Sequence, residues 1–103
     1  MATQIENRQA YQQKVEAQLE KVNAQINEYK AKADQAQADA KLQYYNRLEE
    51  LNAKRDAAEV KLKELQQASA SAWDEMRRGF ESAWNELTNS FDAARRQFEN
   101  HTS

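Results

Sequence analysis

Length, composition and charge already restrict what this chain can be. Its 103 residues include no proline, one glycine and no cysteine, and they are rich in alanine, glutamate, glutamine, lysine and arginine, which is typical of long helices. The missing cysteines exclude disulfides, a thiolate nucleophile and cysteine-based metal sites, and a net charge of −2 gives no electrostatic reason to bind nucleic acid.

The first predicted element is a coiled-coil helix over residues 1–71, where apolar residues recur at alternating spacings of four and three. From Val15 onward seven consecutive steps keep this heptad register, which predicts a left-handed coiled-coil seam. We expect the seam to join copies of the chain into a homo-oligomer of unspecified strand number, and its three alanines favour a close antiparallel pairing. The predicted oligomer seam comprises Val15, Leu19, Val22, Ile26, Tyr29, Ala33, Ala36, Ala40, Tyr44, Leu48, Leu51, Leu62 and Leu65.

Two features in the middle of this helix depart from a simple dimeric seam. Arg55 occupies a seam position, where we expect its alkyl stem to pack while its charge reaches solvent. A second apolar stripe lies off the seam at helical spacing and comprises Ala38, Leu42, Tyr45, Ala53, Ala57 and Val60. Because a helix with two apolar stripes contacts two neighbours, the second stripe predicts that another helix folds back onto the first.

The candidate turn is residues 68–71, Ala-Ser-Ala-Ser, where small and hydroxyl side chains interrupt the charged pattern. Ser71 followed by Asp74 matches a capping box at the start of a second helix. No glycine or proline stops the first helix here, so one uninterrupted helix of about 135 Å is the alternative. The sequence leaves both arrangements open.

Residues 72–103 are predicted to form an amphipathic helix with a short polar tail. Residues 72–82 and 83–93 are two copies of one eleven-residue repeat. Because eleven residues make almost a whole number of helical turns, the large side chains stack on one side of the helix. Gly79 and Ser90 occupy equivalent positions of the two repeats, and we predict that these positions lie on the polar side of the helix. The stripe must be covered by other helices, a lipid surface or a partner protein, and it comprises Trp73, Met76, Phe80, Trp84, Leu87, Phe91 and Phe98.

No catalytic, metal or cofactor site can be assembled from this sequence. There is no nucleophile with an adjacent base and no glycine-rich phosphate loop, and the single histidine, His101, lies in the polar tail, away from any pair of glutamates. The doublets Arg77-Arg78 and Arg95-Arg96 stand among six acidic residues, so we expect them to be paired or solvated. We therefore predict a protein that is not an enzyme, with no small-molecule substrate.

Two segments resemble a group of small, uncharacterised bacterial coiled-coil proteins. They are the Ala-Trp-Asp-Glu-Met to Phe stretch of residues 72–91 and the Ala-Asp-Ala-Lys-Leu-Gln-Tyr-Tyr to Leu-Glu-Glu-Leu stretch of residues 38–51. Proteins of this kind are likened to exchangeable apolipoproteins because of their eleven-residue amphipathic repeats. The resemblance implies that residues 72–98 bind a lipid surface.

The sequence thus predicts an all-α protein with a long heptad helix and an aromatic amphipathic C-terminal segment, either continuous or folded back into a hairpin or bundle. The favoured function is a non-enzymatic coiled-coil scaffold or oligomerisation protein. The alternative is a stress-related peripheral membrane or lipid-surface protein that uses the C-terminal helix. We expect a cytoplasmic location, peripheral at a membrane in the second case, because no stretch approaches the roughly 20 apolar residues of a membrane span.

Overall fold

The chain folds into a bundle of three helices. A computed structural model describes residues 4–100 and the side chains of residues 7–99, so that His101 lies outside the described part. Helix α1 spans Gln4–Gln35, α2 spans Ala38–Gln66 and α3 spans Trp73–Asn100. The bundle measures 53 × 21 × 16 Å. The all-α class is confirmed, and no strand occurs among the described residues.

The prediction of one helix across residues 1–71 is wrong, because the chain reverses between α1 and α2. Gln37 leaves the helical region with ψ of 161°, and Ala36 N donates to Ala33 O over 3.1 Å. The sequence pattern did not predict this reversal. A heptad pattern that runs through a turn is the same as one that runs along a single helix, since antiparallel neighbours also face each other through their seams.

The second reversal falls at residues 67–72 and includes the predicted turn, so the uninterrupted helix is also wrong. Gln67 N donates to Lys63 O and Glu64 O, which satisfies carbonyls at the end of α2. At the start of α3, Ser69 Oγ accepts a bond from Ala72 N over 3.3 Å. This bond lies within the turn ahead of α3, and Ser71 hydrogen-bonds to Ser69 through its hydroxyl instead of forming the predicted capping box.

The helices alternate in direction, so α1 and α3 run parallel to each other and antiparallel to α2. The backbones of α1 and α3 stay further apart than those of the other pairs, because aromatic side chains fill the space between them. Most seam residues lie in the core of the single chain, namely Val15, Leu19, Ile26, Tyr29, Ala33, Tyr44, Leu48, Leu51, Leu62 and Leu65. Val22, Ala36 and Ala40 are partly buried.

Burial predicts which leucines the bundle requires. Leu87 of α3 is 0% exposed and Leu42 of α2 is 66% exposed. Replacing Leu87 by alanine keeps a good helix former but leaves a cavity, so we expect Leu87→Ala to lower the free energy of unfolding by about 2–5 kcal/mol. Leu42→Ala is the matched control and should change it by less than about 0.5 kcal/mol. Urea unfolding followed by circular dichroism measures both, and equal losses would contradict the arrangement.

Candidate functional site

The aromatic stripe of α3 is covered by the other two helices of the same chain. Trp73 is 7% exposed, Phe80 2%, Leu87 0% and Phe98 1%. Met76, Trp84 and Phe91 are partly buried and pack against the same core. Seam residues of α1 and α2 supply the apolar cover that the stripe requires, so seam and stripe, predicted as separate surfaces, form one interior.

Aromatic rings connect α3 to α1 at both ends of the bundle. Phe98 stacks with Tyr29 of α1 at a centroid distance of 4.5 Å and with Tyr44 of α2 at 4.4 Å. At the opposite end Tyr11 meets the rings of Trp73 and Phe80 edge-on, at 5.9 and 6.4 Å. Stacked and edge-to-face pairs add about 0.5–1.5 kcal/mol each beyond their area burial, so these contacts fix where α3 lies along α1.

Arg8 ties the start of α1 to the second turn. Its guanidinium carbon lies 4.4 Å from the centroid of the Trp73 ring, and its Nη2 donates to Ala68 O over 2.7 Å. A cation over an indole face and a charged donor to a turn carbonyl both hold the α2–α3 connection against α1. Sequence reasoning missed this residue because Arg8 precedes the heptad pattern and has no partner nearby in the sequence.

Polar contacts between α2 and α3 correct one assignment in the eleven-residue repeat. Ser90 is only 7% exposed and donates to Glu50 Oε1 over 3.3 Å, so its position is not on the polar side. Gly79 at the equivalent position lies beside Lys61 of α2, which is 4.0 Å from where a Cβ would stand. Both small residues therefore face α2 at the edge of the stripe. The helical periodicity of the sequence did not indicate this.

Charged side chains on the surface of the bundle are paired, as expected. Arg55 donates to Asn23 Oδ1 of α1 over 3.1 Å, which agrees with a packed stem and an outward charge. Arg77 forms ion pairs with Asp74 and Glu81 at 3.6 Å. Pairs this exposed are worth little individually, so they orient side chains more than they stabilise the fold.

The second apolar stripe is uncovered, which corrects the reason for expecting a fold-back. Both neighbours of α2 pack on its seam side, because the seam is wide enough to contact α1 and α3 together. Leu42 is 66% exposed, Val60 54% and Tyr45 39%, although the Tyr45 hydroxyl donates to Asp34 of α1. We call this stripe, with Asp39 and Lys63 at its ends, the outer face of α2.

The grooves between the helices are open, and their linings differ in polarity. One between α2 and α3 is lined by Gln43, Asn46, Arg47, Glu50, Ala93, Arg96 and Gln97. Arg47 is held there by Gln97 at 3.0 Å and by Glu50 at 3.0 Å. Across the part of the chain that the structure describes, no cluster of acidic or histidine side chains has metal-binding geometry. None of the described helices is long and apolar enough to span a membrane.

Tyr11 carries a predicted pH dependence. Burial, and secondly the charge of Glu81 that accepts from its hydroxyl at 3.2 Å, raise the pKa of Tyr11 to about 12. The folded-state pKa exceeds the unfolded value of about 10, so the stabilisation is full below pH 10 and is lost as the pH rises towards 12.

We therefore expect Tyr11→Phe to lose less stability than the wild type over that pH interval. Phenolate absorbance should show that the wild type has a late-ionising tyrosine absent from Tyr11→Phe. Glu81→Gln is the matched variant, and the pKa of Tyr11 should move back towards 10 in it. Identical titration curves for all three proteins would contradict the contact.

Comparison with known proteins assigns this chain to no family. No family model matches it, and no curated protein or solved structure is significantly similar to it. The resemblance to bacterial coiled-coil proteins therefore stays a prediction, and a function has to be argued from the bundle itself.

Proposed function

We propose that this protein is a non-enzymatic scaffold whose copies associate through the outer face of α2. The observation that carries the proposal is where apolar side chains remain in solvent. The exposed large hydrophobic residues of the described chain, Leu42, Tyr45 and Val60, all lie on this one face. The seam predicted to join copies of the chain is occupied within each bundle, so intact bundles can associate only through another surface.

The outer face of α2 is complementary to itself when two copies meet in opposite directions. With a two-fold axis opposite position 51, Leu42 of one copy faces Val60 of the other, and Tyr45 faces Ala57. In the same register Asp39 at one end faces Lys63 at the other, so each dimer gains two pairs of opposite charges. An isologous interface requires this kind of self-complementarity.

The remaining residues of the face fit the same register. Glu49 lies opposite Ala53 and Asp56 lies opposite Asn46, so no two like charges stand directly across from each other. The face is about 38 Å long from Ala38 to Lys63 at 1.5 Å per residue, and a helix contact about 10 Å wide gives roughly 400 Å² per copy. That area is below the size of stable interfaces, so the association is weak and reversible.

Charge exchange across the face tests the register. Asp39→Lys places two lysines opposite each other, and Lys63→Asp places two aspartates opposite each other, so we expect each to weaken dimerisation about tenfold. The double variant restores opposite charges and should recover dimerisation. Sedimentation equilibrium over concentrations up to the millimolar range measures the change, and the thermal midpoint checks that each variant is folded.

Two results would contradict the proposal. One is a wild-type chain that remains a monomer at every concentration. The other is a double variant as weak as the two single variants, since only a face-to-face pairing in this register predicts the recovery. Arg78→Glu, on the exposed surface of α3, is the matched control for a change of charge far from the face and should leave dimerisation unchanged.

A second candidate function is lipid-surface binding by α3, and one observation favours it. The aromatic stripe lies on a single uninterrupted helix whose Trp84 and Phe91 are only partly buried. An amphipathic helix of this kind can lie in a membrane interface with its apolar face in the acyl region. Binding requires α3 to leave the seam residues of α1 and α2, so lipid has to replace the cover that the bundle supplies.

Tryptophan emission distinguishes the two candidates, because both tryptophans belong to the stripe. If the scaffold proposal holds, emission is already blue-shifted in buffer, since Trp73 is 7% exposed, and vesicles of phosphatidylcholine and phosphatidylglycerol leave it unchanged. A further blue shift with vesicles, together with partial loss of the α1–α3 contacts, would establish the lipid candidate instead. Trp84→Phe isolates the signal of Trp73 as the control.

A further inference from the structure

The two turns of the bundle are held in unequal ways. Within the α2–α3 turn the Ser69 hydroxyl accepts a bond from Ala72 N, and Arg8 donates to the carbonyl of Ala68. Across the α1–α2 turn the Tyr45 hydroxyl donates to Asp34, a contact between the two helices that lies outside the turn itself. Gln37 is the N-cap residue of α2, but its side chain makes no capping bond, and the backbone of the turn is bonded from Ala36 N to Ala33 O. This turn is therefore determined by the packing of the helices it joins.

The residues of the α1–α2 turn favour a helix. Residues 33–40 read Ala-Asp-Gln-Ala-Gln-Ala-Asp-Ala, without glycine or proline, and no described residue has a positive φ. Rotation of Gln37 from ψ of 161° to a helical value would carry α1 towards α2 as one helix. The N–H groups in the first turn of α2 and the carbonyls at the end of α1 would then bond to each other, as in any helix interior.

We propose that the α1–α2 turn is a hinge, and that the chain exchanges α1 with a second copy of itself. In the exchanged dimer, residues 4–66 form one helix in each copy, and α1 of each copy packs on α2 and α3 of the other. The core contacts are the same as in the single bundle, while only the turn is lost. Such exchange of identical elements is a low-cost route to a dimer.

The register of the hairpin determines how the two long helices would pair. Hydrogen bonds across α1 and α2 join Asn23 to Arg55 and Glu16 to Gln66, so the pairing is centred near position 40. In the exchanged dimer the same pairing places Ala40 of one copy opposite Ala40 of the other, and Ala36 of each copy opposite Tyr44 of the other. The small side chains of Ala36 and Ala40 allow the two backbones to approach closely where the long helices cross.

This inference rests on the hinge and is independent of the outer face of α2. The exchanged dimer uses the interior of the bundle, whereas the proposed scaffold contact uses a surface that exchange leaves exposed. A monomer and an exchanged dimer have the same interior contacts, so their ratio is set by chain concentration and by the preference of position 37 for turn or helix.

Cross-linking of paired cysteines tests the exchange, since the natural chain has no cysteine. Glu16→Cys with Gln66→Cys joins α1 to α2, and Arg47→Cys with Gln97→Cys joins α2 to α3. After refolding at high concentration, a short bis-maleimide should link the first pair between chains, giving covalent dimers on a denaturing gel. The second pair should be linked only within chains, because α2 and α3 stay in one copy.

Position 37 supplies the variants that alter the ratio. Glycine costs a helix interior about 1 kcal/mol relative to alanine, and each exchanged dimer contains two such positions, so Gln37→Gly should form about 30-fold less interchain product than Gln37→Ala. Circular dichroism of the two variants should show the same folded bundle. Equal amounts of interchain product from both variants would overturn the hinge.

The outcomes separate this inference from the scaffold proposal. If the chain dimerises by sedimentation but both cysteine pairs are linked only within chains, the outer face is the interface and the exchange is overturned. If the first pair is linked between chains and the yield follows position 37, the exchange is supported whether or not the Asp39 and Lys63 variants alter dimerisation.

Discussion

Burial of the aromatic stripe of α3 is the constraint on which the rest of the structure depends. The stripe is too wide for a single helix to cover, and leaving rings such as Phe80 and Phe98 in water would cost about 1.5–3 kcal/mol each. Two seams, one from α1 and one from α2, cover it together. This requirement brings the seams into the interior. Because the two reversals make α1 parallel to α3, Tyr11 and Tyr29 of α1 reach the two ends of the stripe.

The two turns follow from this packing to different degrees. The α2–α3 turn has hydrogen bonds of its own, from Ala72 N to the Ser69 hydroxyl and from Arg8 to Ala68 O, so the turn predicted at residues 68–71 agrees with the structure. The α1–α2 turn lacks a capping side chain at Gln37 and joins two segments that would each continue as helix. Its reversal depends on the packing of α1 and α2 in the core, which is why we propose that a second chain supplies the same contacts.

The side chains that hold the bundle together lie in its interior, so they differ from those of any outer surface that binds a partner. Association through the outer face of α2 would leave the core intact, and Leu42 and Val60 make that face different from the charged faces of α1 and α3. Lipid binding by α3 would instead expose seam residues such as Leu51 and Leu65, both 0% exposed in the bundle. The first function therefore requires no unfolding step, whereas the second has to offset the loss of the core.

The sequence by itself determined that the chain is helical and which side of each helix is apolar, because composition and heptad spacing are local properties. It identified Val15 and Leu87 as buried, but not what covers them. The tertiary structure alone decided that the chain reverses at Gln37, that Ser90 faces α2 and that the second stripe stays in solvent. The physical reason is that a seam packs equally well against its own chain or another. Only the tertiary structure shows that the seams of α1 and α2 close over the stripe of α3.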